Sequence, residues 1–237
     1  MHTDEKTVLA SAVYDALKER IMDQVYPPGD RINIDALAID LSLSPTPIRE
    51  ALVRLAAERL VTFAPFKGYR VSPLLTVEQV VDLMHVRRLL EVDAARLAAR
   101  RIRLPDLLAM ERILQESEHS EVGSWSHGYQ QFNQLDQRFH ALLLGAAANR
   151  FLLLAHRSLN VHVELGRFYR VFGTVDQEQT CIEHNAVVQA MRQHDPEQAV
   201  AMVEIHLSAT ERRILHFFDQ NRAAPASFNR VSSRTIL

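Results

Sequence analysis

Cysteine, glycine and tryptophan are scarce in this 237-residue chain. The single cysteine, Cys181, rules out an internal disulfide, so a reducing, cytoplasmic setting is the simple expectation. Only seven glycines occur, and no glycine-rich nucleotide-binding loop is found. Long stretches of Ala, Leu, Arg, Glu and Gln favour helices over sheet. No run approaches the roughly 18–20 apolar residues of a membrane span; the longest, Ala141 to Ala148, reads as a buried turn of helix. Asp4, Glu5 and Lys6 stand where a signal peptide is apolar. A strong charge of one sign is missing too. The net charge is −2, so total charge does not advertise a nucleic-acid partner.

What is present suits two domains: 47% of residues are hydrophobic and 24% charged, the balance of ordinary globular proteins. We place the boundaries at 1–75 and 76–222, with 223–237 as a weakly patterned flexible tail. Val8 to Tyr26 reads as a helix with Val13, Leu17, Ile21 and Val25 on its inner face, stopped by Pro27-Pro28-Gly29-Asp30. An extended Arg31–Asn33 follows, then a short helix Ile34–Leu41, a turn at Ser42–Ser44 and a helix from Thr46 to Arg59. Pro47 fits the first turn of that helix, and Thr46 or Ser44 can cap it. Leu60–Phe63 and Tyr69–Val71 read as strands around Ala64–Gly68. This order is that of a winged helix-turn-helix. Beyond Thr76, periodicity predicts six helices at about 77–103, 105–120, 125–147, 149–171, 176–194 and 196–222. The fold class is mainly α: an N-terminal winged helix-turn-helix plus a C-terminal all-α helical bundle.

Charge distribution supports a DNA-reading first domain. Between Thr46 and Ser72, Arg49, Arg54, Arg59, Lys67 and Arg70 face only Glu50 and Glu58. An α-helix fits the major groove with its N-terminal residues nearest the base edges. Arg49, in the first turn of the third helix, is placed for a bidentate contact to guanine and Thr46 for a phosphate. Arg54 lies off the inner stripe and adds charge. Lys67 and Gly68 would form the wing tip. Singly, each feature also suits a solvated helix face or an ordinary hairpin.

The order of motifs is more specific. Val13-Tyr-Asp-Ala-Leu17, Pro28-Gly-Asp-Arg-Ile32, Leu37-Ala38, Ser44-Pro-Thr-Pro-Ile-Arg-Glu-Ala-Leu52, Leu55 and Lys67-Gly68 resemble the GntR family of bacterial regulators throughout residues 8–72. The resemblance implies transcription regulation with a double-stranded DNA operator as partner. Two departures stand out: Pro45, where the family often has arginine, and Arg59, where many members have glycine.

In the second domain Asp136, His140, His184 and His206 draw notice. Asp136 and His140 are four apart and share a helix face; His184 and His206 lie on the last two helices. Apolar neighbours put all three helices in one bundle: Phe132, Phe139 and Leu143; Ile182, Val187 and Met191; Met202, Val203 and Ala209. One carboxylate and three imidazoles suit a divalent transition metal with positions left for water or ligand. With eleven histidines in the chain, ordinary hydrogen-bonded core histidines are the competing explanation, and spacing leaves both open. Residues 78–215, however, resemble the FadR C-terminal (FCD) domain attached to many GntR regulators. The matching strings are Met84-His-Val-Arg-Arg-Leu-Leu-Glu91, Leu135-Asp-Gln-Arg-Phe-His140, Glu183-His184 and His206-Leu207. The resemblance implies that Asp136, His140, His184 and His206 are the metal ligands. Zinc comes first, with nickel or manganese as alternatives. Six helices resemble its VanR-like division.

Arg87 shares a helical stripe with Val80, Met84, Leu90, Ala94 and Leu97, which places its guanidinium on a buried face, where it needs a partner. That partner is either a structural glutamate or, as the resemblance implies, the carboxylate of a small organic acid bound beside the metal. The expected protein is a homodimer on a palindromic operator, two recognition helices matching a twofold axis. A metal-dependent hydrolase and a purely structural metal site are the competing functions. No membrane is expected as a partner.

Overall fold

Where the chain stops being helical is decided by a few residues. The computed structural model describes residues 2–22, 25–120, 127–159 and 177–221. They form two compact units whose boundary in sequence falls between Leu74 and Leu75; residues 223–237, expected as a tail, lie outside the described residues.

The first unit opens with α1 (His2–Met22), whose Val13, Leu17 and Ile21 are buried. Its described residues end at Met22, Val25 and Tyr26 form a bend where helix was expected, and Val25, expected on the inner face, is exposed. Pro27 accounts for the difference: its ring disfavours helical backbone at Tyr26, and the Val25 N–H bonds to the Arg20 carbonyl at 2.9 Å instead. β1 (Arg31–Ile32) leads to α2 (Ile34–Asp40), which Asn33 caps by accepting from the Asp35 and Ala36 N–H groups. α3 (Pro45–Ala57) follows. Ser44, not Thr46, holds its N-cap position, and without a side-chain bond; Thr46 lies within the first turn. Ile48, Leu52 and Leu55 are fully buried, joined by Pro47 and Ala51, and the helix packs on α1. β2 (Val61–Ala64) and β3 (Gly68–Val71) form the wing, and β1 pairs with the other edge of β3, all antiparallel.

With glycine scarce, other residues take the left-handed positions that end helices. After α2, Ser42 has φ 53°, its N–H bonds to the Ile39 carbonyl at 3.1 Å, and that of Leu43 bonds to Ala38 at 2.9 Å. After α3, Arg59 has φ 60°, its N–H bonds to Ala56 at 3.0 Å, and that of Leu60 bonds to Leu55 at 3.0 Å. Both are Schellman motifs, and the second is sealed by buried Leu55 and Leu60. The position where glycine was expected therefore keeps its turn, at a strain of roughly 1–2 kcal/mol for an L residue.

The second unit is a helical bundle. Thr76 and Gln79 form a reciprocal capping box that starts α4 (Val77–Arg101). α5 (Leu104–Glu118) has Pro105 in its first turn; α6 (His127–Ala146) follows, then α7 (Arg150–Arg157), capped by Asn149. Among the described residues, α8 (Gln177–Arg192) and α9 (Pro196–Asn221) come last. The helix expected over 149–171 ends at Arg157 instead, where Ser158 is the C-cap and the Leu159 N–H bonds to the His156 carbonyl at 2.9 Å; residues 160–176, on which the helix count behind the VanR-like comparison also depends, lie outside the described residues. α4 packs on α9 and α6, α5 on α6 and α8, and α8 on α9. Ala94, Ala95, Ala98 and Ala99 are fully buried on α4, small enough to bring neighbouring helices close. Phe139, Leu143, Val187, Met191, Val203 and Leu207 fill the centre. Ile182, expected in this core, is 57% exposed; it falls on the outer side of α8, while Cys181 and Val187 face in.

Candidate metal centre and nucleic-acid interface

The buried polar residues of the bundle gather at one place. His140 on α6, His184 on α8 and His206 on α9 bring imidazole nitrogens within 4.8 Å of one another. The Asp136 carboxylate spans two of them: its Oδ2 lies 3.8 Å from His140 Nε2 and its Oδ1 3.6 Å from His184 Nε2. All four side chains are buried. These separations are long for hydrogen bonds, but ligand atoms each about 2.1 Å from a shared ion stand roughly 3–4 Å apart. The three imidazoles therefore fit a divalent transition metal, with the Asp136 carboxylate beside two of them. Phe139 stacks on the His184 ring at a centroid distance of 3.9 Å and fixes its plane.

Carboxylates hold two of the imidazoles from behind. His206 Nδ1 donates to Glu183 Oε2 at 2.8 Å, and Arg213 forks onto both oxygens of Glu183 at 2.8 and 3.0 Å. That bond selects the tautomer with Nε2 left for a metal. Burial, with the charges of His140, Arg87 and Arg213, holds the His206 pKa well below the usual imidazole value, so it is neutral and able to ligate. His140 Nδ1 lies 2.7 Å from Glu91 Oε2, a short contact too poorly aligned to serve as a directed hydrogen bond. Glu91, fully buried, also pairs with Arg87 Nε at 2.6 Å and His156 Nε2 at 3.2 Å. Burial works to raise the Glu91 pKa, yet Arg87, His140 and His156 overcome it and keep the carboxyl well below its ordinary range.

Arg87 thus has the structural partner its buried position demanded. Its outer edge nonetheless reaches the ligand cluster: Nη2 lies 3.5 Å from His140 Nε2, the nitrogen that faces Asp136. Among Asp136, Glu91, Glu183, Arg87 and Arg213, three carboxylates face two guanidiniums. A divalent ion turns this small negative balance into a positive one, which favours an anion.

On the first unit, α3 exposes Thr46, Arg49 and Glu50 in its first two turns, and Val53 one turn further along the same face is 58% exposed. Arg54 is exposed but sits over the Tyr14 ring of α1 at 4.1 Å, so its guanidinium is already engaged within the domain. Lys67 is exposed on the wing, and Gly68 has φ 76°, a conformation that suits glycine.

Residues 9–71 match the family of bacterial regulatory proteins called gntR, and residues 82–209 match the FCD domain. The chain belongs to the GntR family. It is 30% identical over 190 residues to the Nta operon transcriptional regulator of Aminobacter aminovorans, covering 80% of this chain and 87% of that one. To the HTH-type transcriptional repressor GlaR of Escherichia coli (strain K12) it is 26% identical over 208 residues, covering 85% and 93%. The solved structure of E. coli McbR/YncC shares its fold with a TM-score of 0.68 at 21% identity, over 90% of this chain and 98% of that one. This GntR-family chain is a transcription regulator with an FCD effector-binding domain. Its relatives are regulators rather than enzymes, which removes the hydrolase alternative. Among the described residues, no helix is long and apolar enough to cross a membrane.

Several residues of this GntR-family site escaped sequence reasoning. Glu183 adjoins His184 in sequence, yet in the bundle it serves His206 on the neighbouring helix. Arg213 stands seven residues after His206, two turns along one face, a spacing that could have been read. His156 joins through Glu91 and has no local signal. Val53 was legible as one turn beyond Arg49. Cys181 is buried and its thiol is pushed up to about 11, chiefly by burial and then by Glu118, so it is no rival as a thiolate ligand.

Proposed function

We propose that this regulator binds a palindromic operator as a homodimer and that a small carboxylate, held beside a divalent metal in the FCD bundle, sets its DNA affinity. The observation that carries this reading is the buried convergence of three imidazoles and the Asp136 carboxylate, with the Arg87 guanidinium reaching its edge. Asp136, His140, His184 and His206 would hold the metal, zinc first, with nickel or manganese as alternatives. When bound, such an ion supplies positive charge and open coordination positions for an anionic ligand. Arg87, anchored through Nε by Glu91, presents Nη2 for a charge-assisted bond to the same carboxylate. Because these groups come from α4, α6, α8 and α9, a ligand that draws on all of them alters how the four helices pack. The effector must bind the two dimer arrangements unequally, or no shift follows.

At the DNA, Arg49 reads guanine, Val53 offers an apolar contact of the kind a thymine methyl accepts, and Thr46 and Lys67 contact the backbone, with Gly68 allowing close approach of the wing. Arg54, stacked on Tyr14, contributes charge rather than a directed contact. Repression is the direction supported by the relative titled a repressor.

The Arg87–Glu91 pair favours one second reading, in which the metal only staples the bundle. Titrating small organic acids against the metal-loaded protein on a duplex that it enriches from a random library separates the two. A change in duplex affinity, lost in His184→Ala together with metal content, supports effector sensing. Indifference to every acid supports the staple. Arg49→Ala should weaken binding to that duplex by roughly 5- to 100-fold, the value of a bidentate base contact; unchanged binding removes Arg49 as the reader.

A further inference from the structure

The tip of the wing carries a residue that folding does not explain. The Lys67 N–H bonds to the Ala64 carbonyl at 3.1 Å, with Pro65 second and Phe66 third in the turn, and Phe66 has φ 64°. This is a type II turn, whose third position demands positive φ and is normally glycine or asparagine. Here a phenylalanine is forced into it. The ring is fully exposed, at 106% of its reference area, so it adds nothing to the core. Left-handed strain on a bulky residue acts against the folded state, and a ring exposed as fully as in the unfolded chain gives nothing back. Strained positions that persist under such costs are observations that point toward function.

The surroundings say what kind of partner the ring would meet. Directly behind the tip, Phe63 and Tyr69 form a cross-strand pair with ring centroids 4.9 Å apart, which stiffens the ribbon. Lys67, next to the ring, is exposed and cationic. Gly68 follows in a left-handed conformation with open space where a Cβ would stand, so no side chain widens the tip there. Arg70 is tied down by its bond to the Gly29 carbonyl at 3.0 Å. A narrow tip with one cation and one projecting ring suits a polyanion with a slot between its phosphates. The duplex minor groove, about 6 Å wide, is such a slot, and apolar side chains wedge there between base pairs at easily unstacked steps.

We propose that Phe66 is an apolar wedge, a specificity-determining residue that enters the minor groove and favours sites with a flexible pyrimidine–purine step beneath the wing. The proposal rests on the DNA-binding reading of the winged helix and adds to it a contact that senses deformability rather than base edges. Lys67 supplies the phosphate contact beside it; Phe66 supplies none.

The test uses the full chain and the duplex that wild type enriches from a random library, with 2-aminopurine placed at successive steps. Phe66→Gly should fold with a thermal midpoint equal to or above that of wild type, because the turn relaxes. It should bind on the order of tenfold more weakly with an unchanged salt slope, while Lys67→Ala lowers the slope by about one. Wild type should brighten one 2-aminopurine step that Phe66→Gly leaves dark, and Phe66→Leu should recover part of the affinity. If Phe66→Gly fails to fold, Phe66→Asn, which also tolerates the left-handed region, takes its place. Wild-type affinity in these variants overturns the wedge but leaves DNA binding standing. A change in self-association with duplex affinity intact assigns the ring to a protein contact and overturns it as well. If wild type enriches no duplex, both readings fail together.

Discussion

His206 illustrates how one side chain is prepared for its task. Alone, a histidine imidazole can carry its proton on either ring nitrogen and has an ordinary pKa near neutrality. In the bundle, Glu183 accepts a hydrogen bond from the Nδ1–H at 2.8 Å and Arg213 holds Glu183 in place through two bonds, so Nε2 is the nitrogen left for a metal. Partners of this kind tune affinity by 10- to 100-fold in known metal sites. Glu183→Gln keeps an acceptor for His206 but removes the charge, so metal affinity should fall by roughly 10- to 100-fold while helix content stays. Competition with a chromogenic chelator measures it, and an unchanged affinity would mean that Glu183 is only a partner for Arg213.

Among the elements, α3 and its exit are the most informative. Arg59 closes the helix in a Schellman motif at φ 60°, where glycine carries no Cβ penalty. Arg59→Gly should therefore stabilise the winged-helix unit by about 1 kcal/mol, the relief of strain exceeding the extra chain entropy of glycine. Urea denaturation followed on that unit checks the sign; a loss of stability would show that the Arg59 side chain holds something the turn geometry does not reveal. The inner stripe Ile48, Leu52 and Leu55 of the same helix was plain from periodicity. The end of α1 was not: hydrophobic spacing continued to Val25, while the backbone restriction before Pro27 keeps Tyr26 out of the helix.

For the molecule as a whole, metal and protons act on the bundle in opposite senses. An ion bound only by the folded state stabilises it by about 2.7 kcal/mol when present at 100 times its dissociation constant. Chelation should lower the calorimetric midpoint of the FCD bundle, and restored zinc should recover it. In metal-free protein the depressed His206 pKa means that the unfolded chain takes up a proton first as pH falls through about 6.5. The stability contributed by neutral His206 is thus present above that range and shrinks below it. Glu91, whose folded pKa is also depressed, adds a further loss below the ordinary carboxyl range. Urea midpoints of the metal-free protein should fall between pH 7.5 and 5.5, and a flat profile would mean that His206 is not held neutral.

By itself the sequence determined the parts that depend on local order: the winged helix-turn-helix succession, the outward Arg49, and Asp136 with His140 one turn apart on a shared face. These follow from helical period, proline placement and capping chemistry, which act over a few residues. Tertiary structure alone decided the rest. It brought His156 to Glu91, Glu183 to His206 and Tyr14 to Arg54, and it turned Ile182 outward. The reason is physical: a buried charge takes whichever opposite group the packing of separate helices brings within about 3 Å, and no spacing along one helix records how its neighbours are rotated.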